Sequence, residues 1–120
     1  MSANAYSAYR TVGTVTADPM TLTTMLYDGA ITAVRKARLA LGEGRREVYT
    51  RESGRAYDIL GELFATLDMD LGPLPEQLGG IYAYCMRLLV ESALGDTGKL
   101  DEVERHISRI AAAWKAAASE

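Results

Sequence analysis

The sequence predicts an all-α protein, an antiparallel four-helix bundle over residues 18–120 preceded by a mobile N-terminal arm over residues 1–17. Three observations predict it. Apolar residues recur at threes and fours through four successive segments. Gly, Pro and Asp punctuate the chain between those segments. The apolar content is mostly Ala, Leu, Ile, Val, Met and Tyr, with one Phe and one Trp, which favours helices over a β-sandwich. The 120 residues suit one domain that buries roughly two-thirds of the surface its unfolded chain exposes.

Residues 1–17 are small and polar, rich in Ser, Thr, Ala and Tyr, and carry no sustained period, so they read as an extended or mobile arm. Asp18-Pro19 is a helix start: Asp caps the first free amides, and Pro tolerates the first helical position. The first helix runs from Pro19 to about Leu41, with Leu22, Leu26, Ala30, Ala33, Ala37 and Leu41 on one face, and stops at Gly42 and Gly44. The second runs from about Arg46 to Leu67 with a broad face of Tyr49, Ala56, Ile59, Leu60, Leu63, Phe64 and Leu67. Residues 68–73 are a turn by composition. The third helix runs from about Leu74 to Ala93, with Pro75 in its first turn. Leu78, Ile81, Cys85, Leu88 and Ser92 form one stripe on it, and Tyr82, Met86, Leu89 and Ala93 another. Residues 95–98 break the chain. The fourth helix, about Lys99 to Ala117, carries Leu100, Val103, Ile107, Ile110, Trp114 and Ala117 in 3-4 alternation. Short loops between such helices imply antiparallel neighbours.

Helices two and three are apolar over more than a two-position seam, and Met20, Met25, Met69 and Met86 lie among their neighbours. Two readings fit. Globular helices bury wide stripes, so this is an ordinary core; or the surplus is surface that an arm or partner covers, for which adaptable Met is suited.

The totals exclude several classes. A formal net charge of −3 gives no global sign of nucleic acid or an anionic membrane. The single Cys85 precludes an intramolecular disulfide and fits a reducing compartment. The N-terminus has neither the basic nor the apolar region of a signal peptide, and no stretch approaches the roughly 18 to 20 apolar residues of a spanning helix, so a cytoplasmic protein is expected.

No catalytic constellation assembles. His106 follows Glu102 by one turn, but Val103 stands where a Glu-x-x-His motif needs its acid, so a solvated histidine is the reading. Cys85 sits in an apolar stripe and reads as a buried inert thiol. Asp68 and Asp70 lack the later ligands of a calcium loop and read as caps. Gly79-Gly80 reads as a close helix approach. The protein is expected to be no enzyme and to need no cofactor or metal. Arg35, Lys36, Arg38, Arg45, Arg46, Arg51 and Arg55 cluster near the first turn, but Glu43, Glu47 and Glu52 interleave with them. A solvated mixed-charge end is the reading, with an RNA-binding or regulatory helical bundle as the alternative function.

Particular residues resemble a known family. Met25-Leu26-Tyr27-Asp28-Gly29-Ala30-Ile31 is similar to the Met-Leu-Tyr/Phe-Asp-Gly-Ala signature of the flagellin-specific flagellar export chaperones. Ala5-Tyr6-Ser7-Ala8-Tyr9 resembles that family's Tyr-rich N-terminal motif, and Ala17-Asp18-Pro19 its capped helix start. Leu67-Asp68-Met69, Leu88-Leu89-Val90-Glu91-Ser92-Ala93 and Ala112-Ala113-Trp114-Lys115 resemble its later motifs, in order. Departures are Tyr82-Ala83-Tyr84 for the family's Tyr-Asp-Tyr, Ser92-Ala93 near the end of helix three, and Thr21 where a capping-box acid is expected.

The resemblance implies a cytoplasmic bundle around which flagellin's disordered C-terminal segment wraps. It masks that segment against premature polymerisation and delivers it to the flagellar type III export apparatus. It implies that Leu22, Met25, Leu26, Tyr27 and Ile31, with Tyr82, Met86 and Leu89, line or support the flagellin groove. Plain bundle core is the alternative for each, and suits Leu22 and Leu26 best. Asp28 would anchor a loop or backbone amide if buried, or else neighbour Thr24 or Thr32 in solvent. Tyr6 and Tyr9 would dock to the export gate's membrane protein, or the arm would cover the empty groove; the alternative is a mobile tail. The implied partners are flagellin and that gate protein, with weak self-association, no nucleic acid and no membrane insertion.

Overall fold

Helix punctuation decides where each element of the computed structural model, which describes residues 18–119, begins and ends. The elements are α1 (Pro19–Gly42), α2 (Arg46–Ala65), α3 (Pro73–Glu91), a 3-10 turn at Ser92–Leu94, and α4 (Thr97–Ala118). The expected arm, with Tyr6 and Tyr9, lies outside the described residues.

Asp18 caps α1 as expected: its Oδ1 accepts the Thr21 amide at 2.8 Å, which holds the Asp18 carboxyl below the usual range. At the other end Gly44 takes φ +72°, which lets the chain turn while the Arg45 amide reaches back to the Ala40 carbonyl at 2.8 Å. α2 ends at Ala65, two residues short of the expected Leu67. Thr66 turns its hydroxyl onto the Leu63 carbonyl at 2.7 Å, and Asp68 Oδ1 accepts the Asp70 amide at 3.0 Å to shape the loop. The final turn expected of α3 tightens to 3-10 because buried Ser92 donates to the Leu89 carbonyl at 2.7 Å. Asp96 starts α4 two residues earlier than expected, its Oδ1 accepting the Gly98 amide at 2.9 Å.

Each helix packs on its sequence neighbours, and α4 closes the bundle on α1. Cross-helix pairs run in opposite residue order, as antiparallel helices require. On α1 and α4, Thr24 meets Trp114 (2.9 Å) and Arg35 meets Glu104 (2.7 Å). Tyr84 of α3 donates to Glu102 of α4 at 2.6 Å, while Glu91 meets Lys99 at 3.1 Å. Tyr49 of α2 meets Ser92 at 2.6 Å.

Buried Ala30, Ala33, Ala37 and Ala40 give α1 a low face against its neighbours, and Leu26, Ile59, Leu60, Leu63, Leu100, Val103 and Ile107 fill the centre. Cys85 is buried there, and burial pushes its thiol up to about 12, so the inert reading holds. Of the two adjacent glycines only Gly79 marks a close approach. A methyl there would lie 3.3 Å from the Leu67 and Phe64 side chains, whereas one at Gly80 meets nothing within 4 Å. No helix among the described residues is long and apolar enough to cross a membrane.

Candidate functional site

The residues nominated from sequence separate into three places. Leu26, Tyr27, Tyr82 and Leu89 are core, each below 4 % exposed. Tyr27 and Tyr82, on helices that stand diagonally across the bundle, join hydroxyl to hydroxyl at 2.6 Å. Trp114 leans on Tyr27 with ring centroids 6.3 Å apart and donates its own N–H to Thr24. Burial raises both tyrosine hydroxyls above their ordinary range, so the pair stays neutral. These side chains fix helix spacing and can only support a surface. Leu22 and Met25 in the first turns of α1, and Met86 on α3, are half-buried.

Asp28 and Ile31 lie in the groove between α1 and α4. Its volume is about 460 Å³, and Thr32, Ser108 and Ala111 share it. Asp28 is exposed, and its partner is Lys115 of α4, across the groove rather than on its own helix. With Arg35 also on its rim, this groove is polar-edged.

The α2–α3 face differs in kind. Leu89, Tyr57 and Val90 line a shallow groove of about 210 Å³ with Thr50, Ser53 and Gly54. Val90 is 63 % exposed and Tyr57 40 %. Tyr57 and Phe64 are seven residues apart on α2, two helical turns, so they lie on one side of it. Further along, Phe64 and Met69 gather with Leu67 over Gly79, where the missing side chain lowers the floor. Leu71 in the loop and Leu74 in the first turn of α3 add further exposed apolar side chains, at 73 % and 60 %. Met86 falls four residues before Val90 on the same helix. A run of large apolar side chains outside a closed core marks an interaction surface.

Periodicity places Phe64 on the broad apolar face of α2 without separating core from surface, and it does not single out Tyr57, Leu71, Leu74 or Val90. The available signal was Tyr57 two turns before Phe64, with Gly54 and Gly61 flanking it. No such signal marks Leu71 or Leu74.

The polar clusters are weaker candidates. His106 is half-buried rather than freely solvated. Its Nε2 is 3.4 Å from Glu102, and its ring stands edge-on to Tyr84 with centroids 5.8 Å apart. The Tyr84 hydroxyl holds the Glu102 carboxyl below its usual range. Among the described residues no group of three His, Cys, Asp or Glu could hold a metal ion. Much of the basic cluster is spent internally: Arg35 and Arg38 on Glu104, Arg38 also on Asp101, and Arg46 on the Ala93 carbonyl and the Tyr49 ring. Lys36, Arg45 and Arg51 of the cluster remain exposed around one groove between α1 and α2.

The comparisons agree with one another. A family model described as "Flagellar protein FliS" matches residues 2–120. The flagellar secretion chaperone FliS of Bacillus subtilis is 36 % identical over 115 residues, 95 % of this chain and 86 % of that protein. Its counterpart from Salmonella typhimurium is 36 % identical over 104 residues, 84 % of this chain and 77 % of that protein. The Escherichia coli counterpart is 29 % identical over 121 residues, 95 % of this chain and 89 % of that protein.

Proposed function

We propose that this chain, which belongs to the flagellar protein FliS family, holds the disordered C-terminal segment of flagellin against the apolar face of α2 and α3. The family is one of flagellar secretion chaperones, not of enzymes, and the chain's role is in flagellar export.

The observation that carries the finer reading is the exposed run of Tyr57, Phe64, Met69, Leu71, Leu74 and Val90 beside a fully packed core. A disordered segment gains most from a rigid platform, because only its own ordering then opposes binding. Its apolar side chains would cover this run, as an amphipathic helix covers a groove. Met86 and Leu89 contribute from the α3 side. Tyr27, Tyr82 and Leu26 hold the platform's shape, with Leu22 and Met25 packing the start of α1. Asp28 and Ile31 offer the α1–α4 groove to the segment's more polar stretches. The action is stoichiometric and cytoplasmic. Masking the segment prevents premature polymerisation and presents a partly unfolded cargo to the type III export apparatus. Tyr6 and Tyr9 are assigned to docking on the export gate's membrane protein, or to covering the empty groove until flagellin displaces them.

Calorimetry tests the reading with flagellin from the same source, intact and lacking its C-terminal segment. One-to-one binding to intact flagellin, lost on truncation, is expected. Equal binding to both forms, or none to either, removes the assignment.

A further inference from the structure

The groove between α1 and α2 carries two features that flagellin capture does not use. Glu52 lies on the buried face of α2 with its side chain 9 % exposed. Its Oε2 has only a long 3.4 Å approach from Arg51 Nε, and Oε1 has no hydrogen-bond partner among the described residues. A buried carboxylate oxygen without a donor is costly and asks for one. Glu52 also lines a groove of about 270 Å³. Leu39, Ala40 and Val48 form its apolar part, Leu39 being 60 % exposed, and Lys36, Arg45 and Arg51 stand around it, all exposed. Three cations, Lys36, Arg45 and Arg51, against two carboxylates, Glu52 and the Arg45 partner Glu43, leave the rim positive. Arg45 meets its exposed neighbour Glu43 at 3.2 Å, and Arg51 is 66 % exposed.

We propose that this groove is a second docking site, for an acidic protein segment that presents the first turn of a helix and one aliphatic side chain. Such a segment answers each feature. Its acidic side chains meet Lys36, Arg45 and Arg51, and its aliphatic side chain covers Leu39 and Val48. The free backbone N–H groups of its first turn, which lack acceptors in their own helix, supply the donor for Glu52 once Arg51 swings aside. A basic segment would satisfy Glu52 but meet three like charges. An RNA backbone would meet the cations but set its phosphates against the carboxylate and leave the apolar part uncovered. The site is on a different face from the α2–α3 run, so it does not depend on the flagellin reading.

The test is an NMR titration of the full chain with three probes. They are a short helical peptide with Asp and Glu in its first turn and one Leu, the same peptide with its acids changed to Lys, and a single-stranded RNA oligonucleotide. The acidic peptide is expected to move the amide signals of Leu39, Val48 and Glu52, more weakly as salt rises. Lys36→Glu with Arg51→Glu, both on exposed side chains, should weaken it about tenfold. Glu52→Met, which keeps the side chain's length but removes both acceptor oxygens, should weaken it at low and high salt alike, because the lost acceptor is buried. The proposal is overturned if the basic peptide or the RNA binds there as tightly as the acidic peptide. It is equally overturned if the shifts fall on the α2–α3 face, or if no signal moves.

Discussion

Phe64→Glu combined with Val90→Glu is expected to abolish capture of flagellin's C-terminal segment while the bundle melts close to its original temperature. Val90 is 63 % exposed and Phe64 40 %, so neither holds the core together. A carboxylate at each position would have to be stripped of water beneath an apolar ligand. Central apolar residues of an interface carry about 2 kcal/mol or more each, so the pair should cost at least about 100-fold in affinity. The price in stability is about 1 kcal/mol, mainly from the part of Phe64 that packs over Gly79. Leu94→Glu is the control. Leu94 is 93 % exposed in the 3-10 turn after α3, and its replacement should leave binding intact. Calorimetry with intact flagellin and a thermal melt of each variant separate lost binding from lost fold.

Tyr82→Phe is expected to destabilise the bundle by about 2 kcal/mol, and adding Tyr27→Phe to cost little more, or to recover part of the loss. The reason is the asymmetry between breaking and deleting a buried hydrogen bond. Removing one hydroxyl strands the other, 2.6 Å from where its partner stood and shut away from water. Removing both leaves two apolar rings of nearly unchanged shape. A double-mutant cycle by urea denaturation reads the coupling, expected within about 0.5–3 kcal/mol. The pH dependence has a definite sign. Both hydroxyls are raised above their ordinary value of 10, so the pair's contribution is complete below that value and declines as pH rises past it. Additive single and double effects would mean that the two hydroxyls do not act as a unit.

Helix boundaries were legible where single residues set them: Asp18 before Pro19, Gly44 after α1 and Gly72 before Pro73. Asp96, by contrast, reads as part of a break and caps α4 two residues earlier than expected. Where side chains rather than Gly or Pro close a helix, as at Thr66 and Ser92, the expected ends ran about two residues long. The core stripes of α1 and α4 were legible for the same reason, since Leu26, Ala30, Ala33, Ala37 and Leu100, Val103, Ile107 recur on one side. Periodicity shows which face turns inward, but not which side chains meet there. The Tyr27–Tyr82 contact spans 55 residues and the Asp28–Lys115 pair 87, beyond any local pattern. Phe64 is legible only as part of a broad face, because α2 is apolar over too wide an arc for its centre to be read. Glu52 stood in plain view, three residues after Tyr49 and four before Ala56 on the buried face, but its charge drew it into the solvated group. Much of the site depends on which apolar residues stay outside, and a broad apolar stripe does not carry that distinction.

The central claim is that flagellin's C-terminal segment lies on the α2–α3 face, and site-specific photo-cross-linking tests it most directly. A benzophenone side chain is placed singly at Phe64, Val90, Lys36 and Arg105, and each protein is irradiated with intact flagellin. The account predicts cross-links to the C-terminal segment from positions 64 and 90 and none from 36 or 105. Cross-links from 36 or 105, with none from 64 and 90, would contradict it.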